Sequence, residues 1–176
     1  PLRESDQYSV NDNNSWMVTV WEQRYKVIKA ANFIINNADR TPGVSQEEID
    51  VVKAQAHFWR AFNYFYLVTT WGKVPVMLDE VIDYNAKLST EEEIYELILS
   101  DLAIAEKGCP VVYTSAPYSI NGVNVAVSQG AVKAALSYVY MCMAGWPLNK
   151  GAEYYELAAQ KAEEVIDLTD NGTYYY

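Results

Sequence analysis

Apolar residues recur along most of the chain at steps of three and four, which predicts about five amphipathic helices and little strand. The first covers about Asn14 to Asp39. Met17, Trp21, Tyr25, Ile28, Ala31, Ile35 and Ala38 share one face, and Thr41-Pro42-Gly43 ends it. The second opens at Ser45, with Glu48 three residues on in a capping-box pattern, and runs to about Thr70. Its apolar arc is wide (Ile49, Val52, Ala56, Trp59, Phe62, Phe65, Tyr66), and its polar strip of Lys53, His57 and Arg60 is narrow. A helix so apolar around its circumference is expected to be central. Trp71-Gly72 breaks it, and Pro75 makes Val74 to Met77 extended, because the residue before a proline avoids helix.

Ser89 or Thr90 caps the third helix, whose first turn, Glu91, Glu92 and Glu93, complements the positive end of the helix dipole. Ile94, Leu97, Ile98, Leu102 and Ala105 form its stripe, and Gly108-Cys109-Pro110 stops it. Residues 108–127 follow as a long irregular stretch, the kind of loop that is usually functional or a linker. Ser128 caps a fourth helix with Ala131, Ala134, Ala135, Tyr138 and Cys142 along one side, ended by Gly145-Trp146-Pro147. The fifth covers about Gly151 to Thr169, with Tyr155, Ala158, Ala159, Ala162, Val165 and Ile166 expected inside. In the last two helices, Tyr155, Ala158, Ala162, Val165 and Asp170 are spaced as in the second helix of a tetratricopeptide repeat, which places a repeat-like hairpin at about 128–170. An alanine-rich antiparallel hairpin of no repeat family has the same pattern. A lone hairpin cannot bury its own faces and needs stacked neighbours. The fold class is therefore all-α: helix pairs with long irregular loops, in one domain of 176 residues.

Charge narrows the function classes. Thirteen basic against 23 acidic residues give a net charge of −10, the opposite of a nucleic-acid footprint. No apolar run has the length of a membrane span. Two cysteines, Cys109 and Cys142, cannot build a disulfide framework. One bridge between them is conceivable, but Cys142 sits in a helical pattern and reads as a small buried residue. Aromatic residues are abundant and lopsided, with 15 Tyr and 5 Trp against 4 Phe. The chain opens Pro-Leu-Arg-Glu and stops at Tyr174-Tyr175-Tyr176, just after the turn signal Asn171-Gly172, so a piece of a longer protein is expected.

One run is specific. Ala54-Gln-Ala-His-Phe-Trp-Arg-Ala-Phe-Asn-Tyr-Phe-Tyr-Leu-Val, followed by Trp71-Gly-Lys-Val-Pro-Val, resembles the signature of the SusD/RagB family. Further agreements follow in order: the Ala31-Asn32 pair that closes an upstream helix motif, the Glu-rich cap and helix of Ser89 to Ala105, and Gly130-Ala131-Val132-Lys133-Ala134-Ala135-Leu136. The resemblance covers nearly the whole chain. It implies a SusD-like superhelix of tetratricopeptide-like helix pairs. It also implies a lipid-anchored protein of the bacterial outer membrane and cell surface, acting as the lid of a TonB-dependent (SusC-like) transporter and capturing glycans or, in RagB-like members, peptides. The anchoring cysteine is not in this sequence. A helical-repeat scaffold for protein contacts is the reading from a different class.

No catalytic constellation stands out, so the chain is not expected to be an enzyme, and neither a cofactor nor a metal is expected. The single histidine, His57, reads as a partly exposed helix residue; Asp79, Glu80 and Asp83 match no calcium-loop spacing and read as a solvated stretch. A sugar needs flat aromatics for its C–H faces with amides or charges nearby for its hydroxyls. Helix aromatics such as Trp21, Trp59, Phe62 and Tyr138 read as core, and Trp71 and Trp146 as plugs at helix ends. Two loops supply ligand candidates: Tyr8, Asn11, Asn13 and Trp16 before the first helix, and Tyr113, Tyr118 and Asn121 in the long irregular stretch, with Asn124 beside them.

Overall fold

The computed structural model describes residues 6, 7, 9, 11, 14–81 and 83–174. Its main elements in order are α1 (Ser15–Asn37), α2 (Gln46–Trp71), α3 (Glu91–Gly108), a two-stranded ribbon of β1 (Ser119–Ile120) and β2 (Val123–Asn124), α4 (Gln129–Ala144) and α5 (Ala152–Asp170). The helix starts follow the capping chemistry. The Asn14 carboxamide accepts from the amides of Trp16 and Met17. Ser45 with Glu48 and Thr90 with Glu93 complete reciprocal capping boxes, and Ser128 caps α4. The first helix ends two residues earlier than the pattern predicts, because Ala38–Arg40 tightens into a 3-10 turn.

Successive helices run antiparallel, as their cross-contacts show. Trp21 meets Trp71 while Asp39 meets Lys53; Ala54 lies by Gly108 while Phe65 meets Tyr95; Glu106 pairs with Lys133 while Glu92 pairs with Lys150; Tyr140 meets Tyr154 while Lys133 pairs with Glu164. A Cβ on Gly108 would come 2.6 Å from that of Ala54, so α2 and α3 cross where neither has a large side chain. The core is built on α2 and α3: Ala61, Tyr64, Leu67, Ile94, Ile98, Leu102 and Ala105 are buried, with Ile28 from α1 and Val132, Leu136, Val139 and Met143 from α4. Among the described residues no helix is long and apolar enough to cross a membrane.

Several expectations are corrected. His57 and Arg60 are not on an exposed strip; both are buried, because the Asp101 carboxylate on α3 meets the Arg60 charge and lies in hydrogen-bond contact with His57 Nδ1. Conversely Trp59, Phe62 and Tyr66 of α2 and Tyr138 of α4 are exposed, with Trp59 at 46% and Tyr138 at 54%, because the described neighbours cover those faces only in part, as where Arg24 lies over the Tyr66 ring. The buried side of α4 is Gly130, Val132, Leu136, Val139 and Met143, one step round from the predicted alanine row. On α5 only Ala158 is buried, whereas Tyr155, Ala159 and Ile166 face outward, since among the described helices only α4 packs along it. Trp146 is exposed rather than a plug, while Trp71 is half-buried, edge-on to Trp21 at 5.3 Å. The stretch after α3 is not wholly irregular. Asn121 and Gly122, both at positive φ, turn the ribbon β1–β2, the conformation an Asn-Gly pair favours in a tight hairpin. Cys109 is buried and Cys142 half-buried; both thiols are free, and burial pushes that of Cys109 up to about 11.

A four-charge cluster ties α3, α4 and α5. Lys133 and Lys161 lie 2.9 and 2.7 Å from Glu106, and both also pair with Glu164. Partial burial opposes the charge on each carboxyl, but the lysine hydrogen bonds outweigh it and hold Glu106 and Glu164 below the usual carboxylate range. A carboxylate depressed in the folded state stabilises above its unfolded pKa, about 4.3 for Glu, and that contribution is lost as pH falls through the folded value. The urea midpoint is therefore expected to drop between pH 5 and pH 3, and to drop less in a Lys133→Met variant, whose carboxylates have lost one partner.

Candidate functional site

Between α1 and the segment joining α2 to α3 lies a cleft of about 430 Å³, within the size range of ligand pockets. Its helical wall comes from residues spaced to share one face of α1: Trp21, Glu22, Tyr25, Lys26, Ile28, Lys29 and Asn32. The opposite wall is Pro75, Met77, Asp79, Val81, Asp83, Tyr84 and Ala86.

The connecting segment is extended at first, as Pro75 requires, and its backbone is bonded to helix side chains instead of to a sheet. The Tyr25 hydroxyl donates to the Pro75 carbonyl at 2.7 Å. The Tyr64 hydroxyl accepts from the Met77 amide at 2.7 Å and donates to its carbonyl at 3.0 Å. Burial pushes both phenols up, Tyr64 to about 12 and Tyr25 further, so each stays a donor. Asn32 donates to the Met77 and Asp79 carbonyls at 2.9 and 3.0 Å. Glu80 accepts from Asn37. On the return, the Asp83 carboxylate accepts from the Asn85 amide at 2.8 Å, closing a turn that holds Tyr84 away from the helices. The arms meet at a Pro75–Leu88 bridge, where the Ser89 amide donates to the Val74 carbonyl.

The cleft thus has fixed walls and free chemistry. The Tyr84 ring is 91% exposed and stands opposite the half-buried Trp21 and Tyr25. Glu22, Lys26, Lys29 and Asp79 line the cleft with no hydrogen-bond or ion-pair partner for their side chains among the described residues. Aromatic faces with free donors and acceptors around them suit a polyhydroxylated ring. Among the described residues no group of three or more His, Cys, Asp or Glu side chains could hold a metal ion.

The structure separates the predicted ligand residues. Tyr8 and Asn13 lie outside the described residues. Asn11 is exposed, and its carbonyl accepts from the Asn14 amide; Trp16, 58% exposed, sits on the first turn of α1. Tyr113 is buried, donating its hydroxyl to the Val127 carbonyl at 2.8 Å, and Asn124 accepts from its amide at 2.9 Å, so both brace the loop. Tyr118 is half-buried, 5.3 Å from the Tyr113 ring, and lines a second groove of about 310 Å³ with Gln55 and Trp59. Asn121 is exposed at the ribbon turn. None of the described candidates lines the larger cleft. Sequence reasoning missed Trp21, which it assigned to the core, and Tyr84, which sits in a stretch read as solvated charge. An aromatic flanked by Asp83 and Asn85 was the available signal.

A family model described as starch-binding and associating with the outer membrane, SusD-like, matches residues 3–141. The chain is similar to the SusD-like protein P2 of Formosa agariphila, with 29% identity over 94% of this chain and 30% of that protein. Among solved structures it is similar to a SusD superfamily protein from Parabacteroides distasonis, with a TM-score of 0.81 and 28% identity over 94% of this chain and 34% of that one. It is also similar to a structure described with a xylogluco-oligosaccharide, with a TM-score of 0.75 and 26% identity over 90% of this chain and 31% of that one. The chain spans about a third of the length of these relatives. A model match over most of its residues and an all-α fold shared with the superfamily place it: the chain belongs to the SusD-like family.

Proposed function

We propose that this chain is the helical part of a non-enzymatic glycan-binding protein of the outer membrane and cell surface, and that the cleft between α1 and residues 75–86 is where it meets the glycan. The observation that carries the reading is that the exposed Tyr84 shares a cleft lining with Trp21 and Tyr25, beside Lys26, Lys29 and Asp79, whose side chains have no partner among the described residues. Exposed aromatics beside polar groups support a binding protein over a scaffold whose aromatics are all consumed in packing. The relative described with a xylogluco-oligosaccharide favours a glycan over a peptide. The whole protein, on this reading, is lipid-anchored and acts as the lid of a TonB-dependent, SusC-like transporter. Trp16 and Asn11 at the start of α1, and Tyr118 beside Trp59, provide secondary contacts. Affinity electrophoresis against a panel including xyloglucan and laminarin tests the ligand class. Retardation by at least one polysaccharide is expected; binding of peptides with no retardation by any glycan would overturn the reading in favour of a RagB-like peptide ligand.

A further inference from the structure

We propose that Arg60, from outside the cleft, and Asn32, from its helical wall, are positioning residues that set the shape of the cleft through a line of buried hydrogen bonds that begins on α3. The inference concerns the cleft assigned above to a glycan and rests on that reading for its ligand, although the geometry stands without it.

The line starts at Asp101, which is fully buried in the centre of α3. Its carboxylate accepts from Arg60 Nε and from a second guanidinium nitrogen, both at 2.8 Å, and lies 2.7 Å from His57 Nδ1. Burial alone would raise this carboxyl, but Arg60 and His57 outweigh it and hold it below its usual range. An ionised carboxylate can only accept, so Nδ1 carries the hydrogen. The two-point contact fixes the guanidinium plane. The remaining arm of Arg60 then donates to the Asn32 carboxamide oxygen at 2.9 Å.

That contact decides which way the Asn32 amide points. Flipping it would set its NH2 against the guanidinium and its oxygen against two carbonyls. With the oxygen held by Arg60, both amide hydrogens go to the carbonyls of Met77 and Asp79, at 2.9 and 3.0 Å. Asn32 is 0% exposed, so no water can replace it. Met77 and Asp79 are cleft residues, and their carbonyls lie two residues apart on an extended segment that has no sheet to satisfy it. The Asn32 carboxamide, with the Tyr64 hydroxyl on Met77, therefore takes the place of a sheet neighbour, and among the described side chains Asn32 alone holds the Asp79 carbonyl and fixes where the Asp79 side chain leaves the backbone.

A buried ion pair is a weak source of stability, because desolvation offsets most of its attraction. Its directional value is greater. Helix α3 contributes Asp101, α2 contributes Arg60 and His57, and α1 contributes Asn32; among the described residues the only backbone these side chains hold belongs to the cleft wall. Asn32 and Arg60 also lie in the two runs, Ala31-Asn32 and Arg60-Ala61, that carry the resemblance to the family.

The Asn32→Asp variant isolates the last link, since an aspartate still accepts from Arg60 but cannot donate to the two carbonyls. Amide hydrogen exchange is expected to quicken at least tenfold across residues 77–89 and to stay within twofold at the centres of α2 and α3. The Arg60→Lys variant, which cannot hold Asp101 at two points and also reach Asn32, is expected to loosen the same segment and serves if the first variant does not fold. Unchanged exchange at 77–89, or an equal rise throughout the helices, overturns the proposal. On a polysaccharide that the unaltered protein binds, Asn32→Asp is expected to weaken binding at least threefold. A loosened segment with unchanged affinity also overturns the positioning role. An unaltered protein that binds neither xyloglucan nor laminarin counts against the glycan reading alone, and exchange then decides the positioning role.

Discussion

Asp101→Ala is expected to lower the unfolding free energy by about 3–5 kcal/mol, the cost of leaving a buried charge without its partner. Urea denaturation at pH 7 measures it. The side chains of Asp101 and Arg60 are only 2% and 9% exposed, so water cannot take over the lost contacts. His57 loses its partner in the same step. Against a total stability of roughly 5–15 kcal/mol for a domain of this kind, the change is a large fraction of the whole. A double variant separates the pair from its pieces. Asp101→Leu combined with Arg60→Met removes both charges and refills the space, so it is expected to be clearly less destabilised than Asp101→Ala alone. A double variant as unstable as the single one would show that the helices need the pair itself.

Tyr84→Ala is expected to do the opposite: little to stability and much to binding. With 91% of the residue exposed, its removal leaves no cavity, and the unfolding free energy should stay within about 0.5 kcal/mol. If the ring stacks on a sugar face, its loss costs about 1–2 kcal/mol of binding, roughly 5- to 30-fold in affinity. Titration calorimetry with the best-retarded polysaccharide decides. Equal affinity in the variant would remove Tyr84 from the site, and the aromatic pair Trp59 and Tyr118 in the other groove would be the place to look next. Trp21→Ala is a poorer probe, because that ring also packs on Trp71 and Tyr25.

The helices were legible because their signals are local. Capping residues, a glycine or proline just past each carboxyl end and a stripe at three-four spacing lie within one window, and Ser45 with Glu48 or Thr90 with Glu93 could be read directly. Burial was less legible, because a stripe shows which residues share a face and not how many neighbours cover it. Trp59 and Phe62 belong to an apolar arc wider than the neighbours of α2 can cover. The reverse error at Arg60 has the same origin. Its partner Asp101 is 41 positions away, and no local pattern distinguishes a charge that faces water from one that faces a matching charge. The cleft escaped for a related reason: half of it is a helix face and half a loop held by Tyr25, Asn32 and Tyr64, residues that look like ordinary core positions.

The order of helix contacts has a consequence for how the molecule comes apart. Helix α5 packs on α4 and reaches α3 only through the Lys161–Glu106 ion pair, while Tyr174 just beyond it hydrogen-bonds back to the Gly130 amide and the Val111 carbonyl. The Asp101 network, by contrast, joins α1, α2 and α3 through buried hydrogen bonds, and parting α2 from α3 would leave Arg60 and Asp101 without each other. Opening is therefore graded along the chain. Helix α5, tied to the others through α4 and one ion pair, is expected to separate at lower cost than the first three helices, which share the buried network beside the cleft.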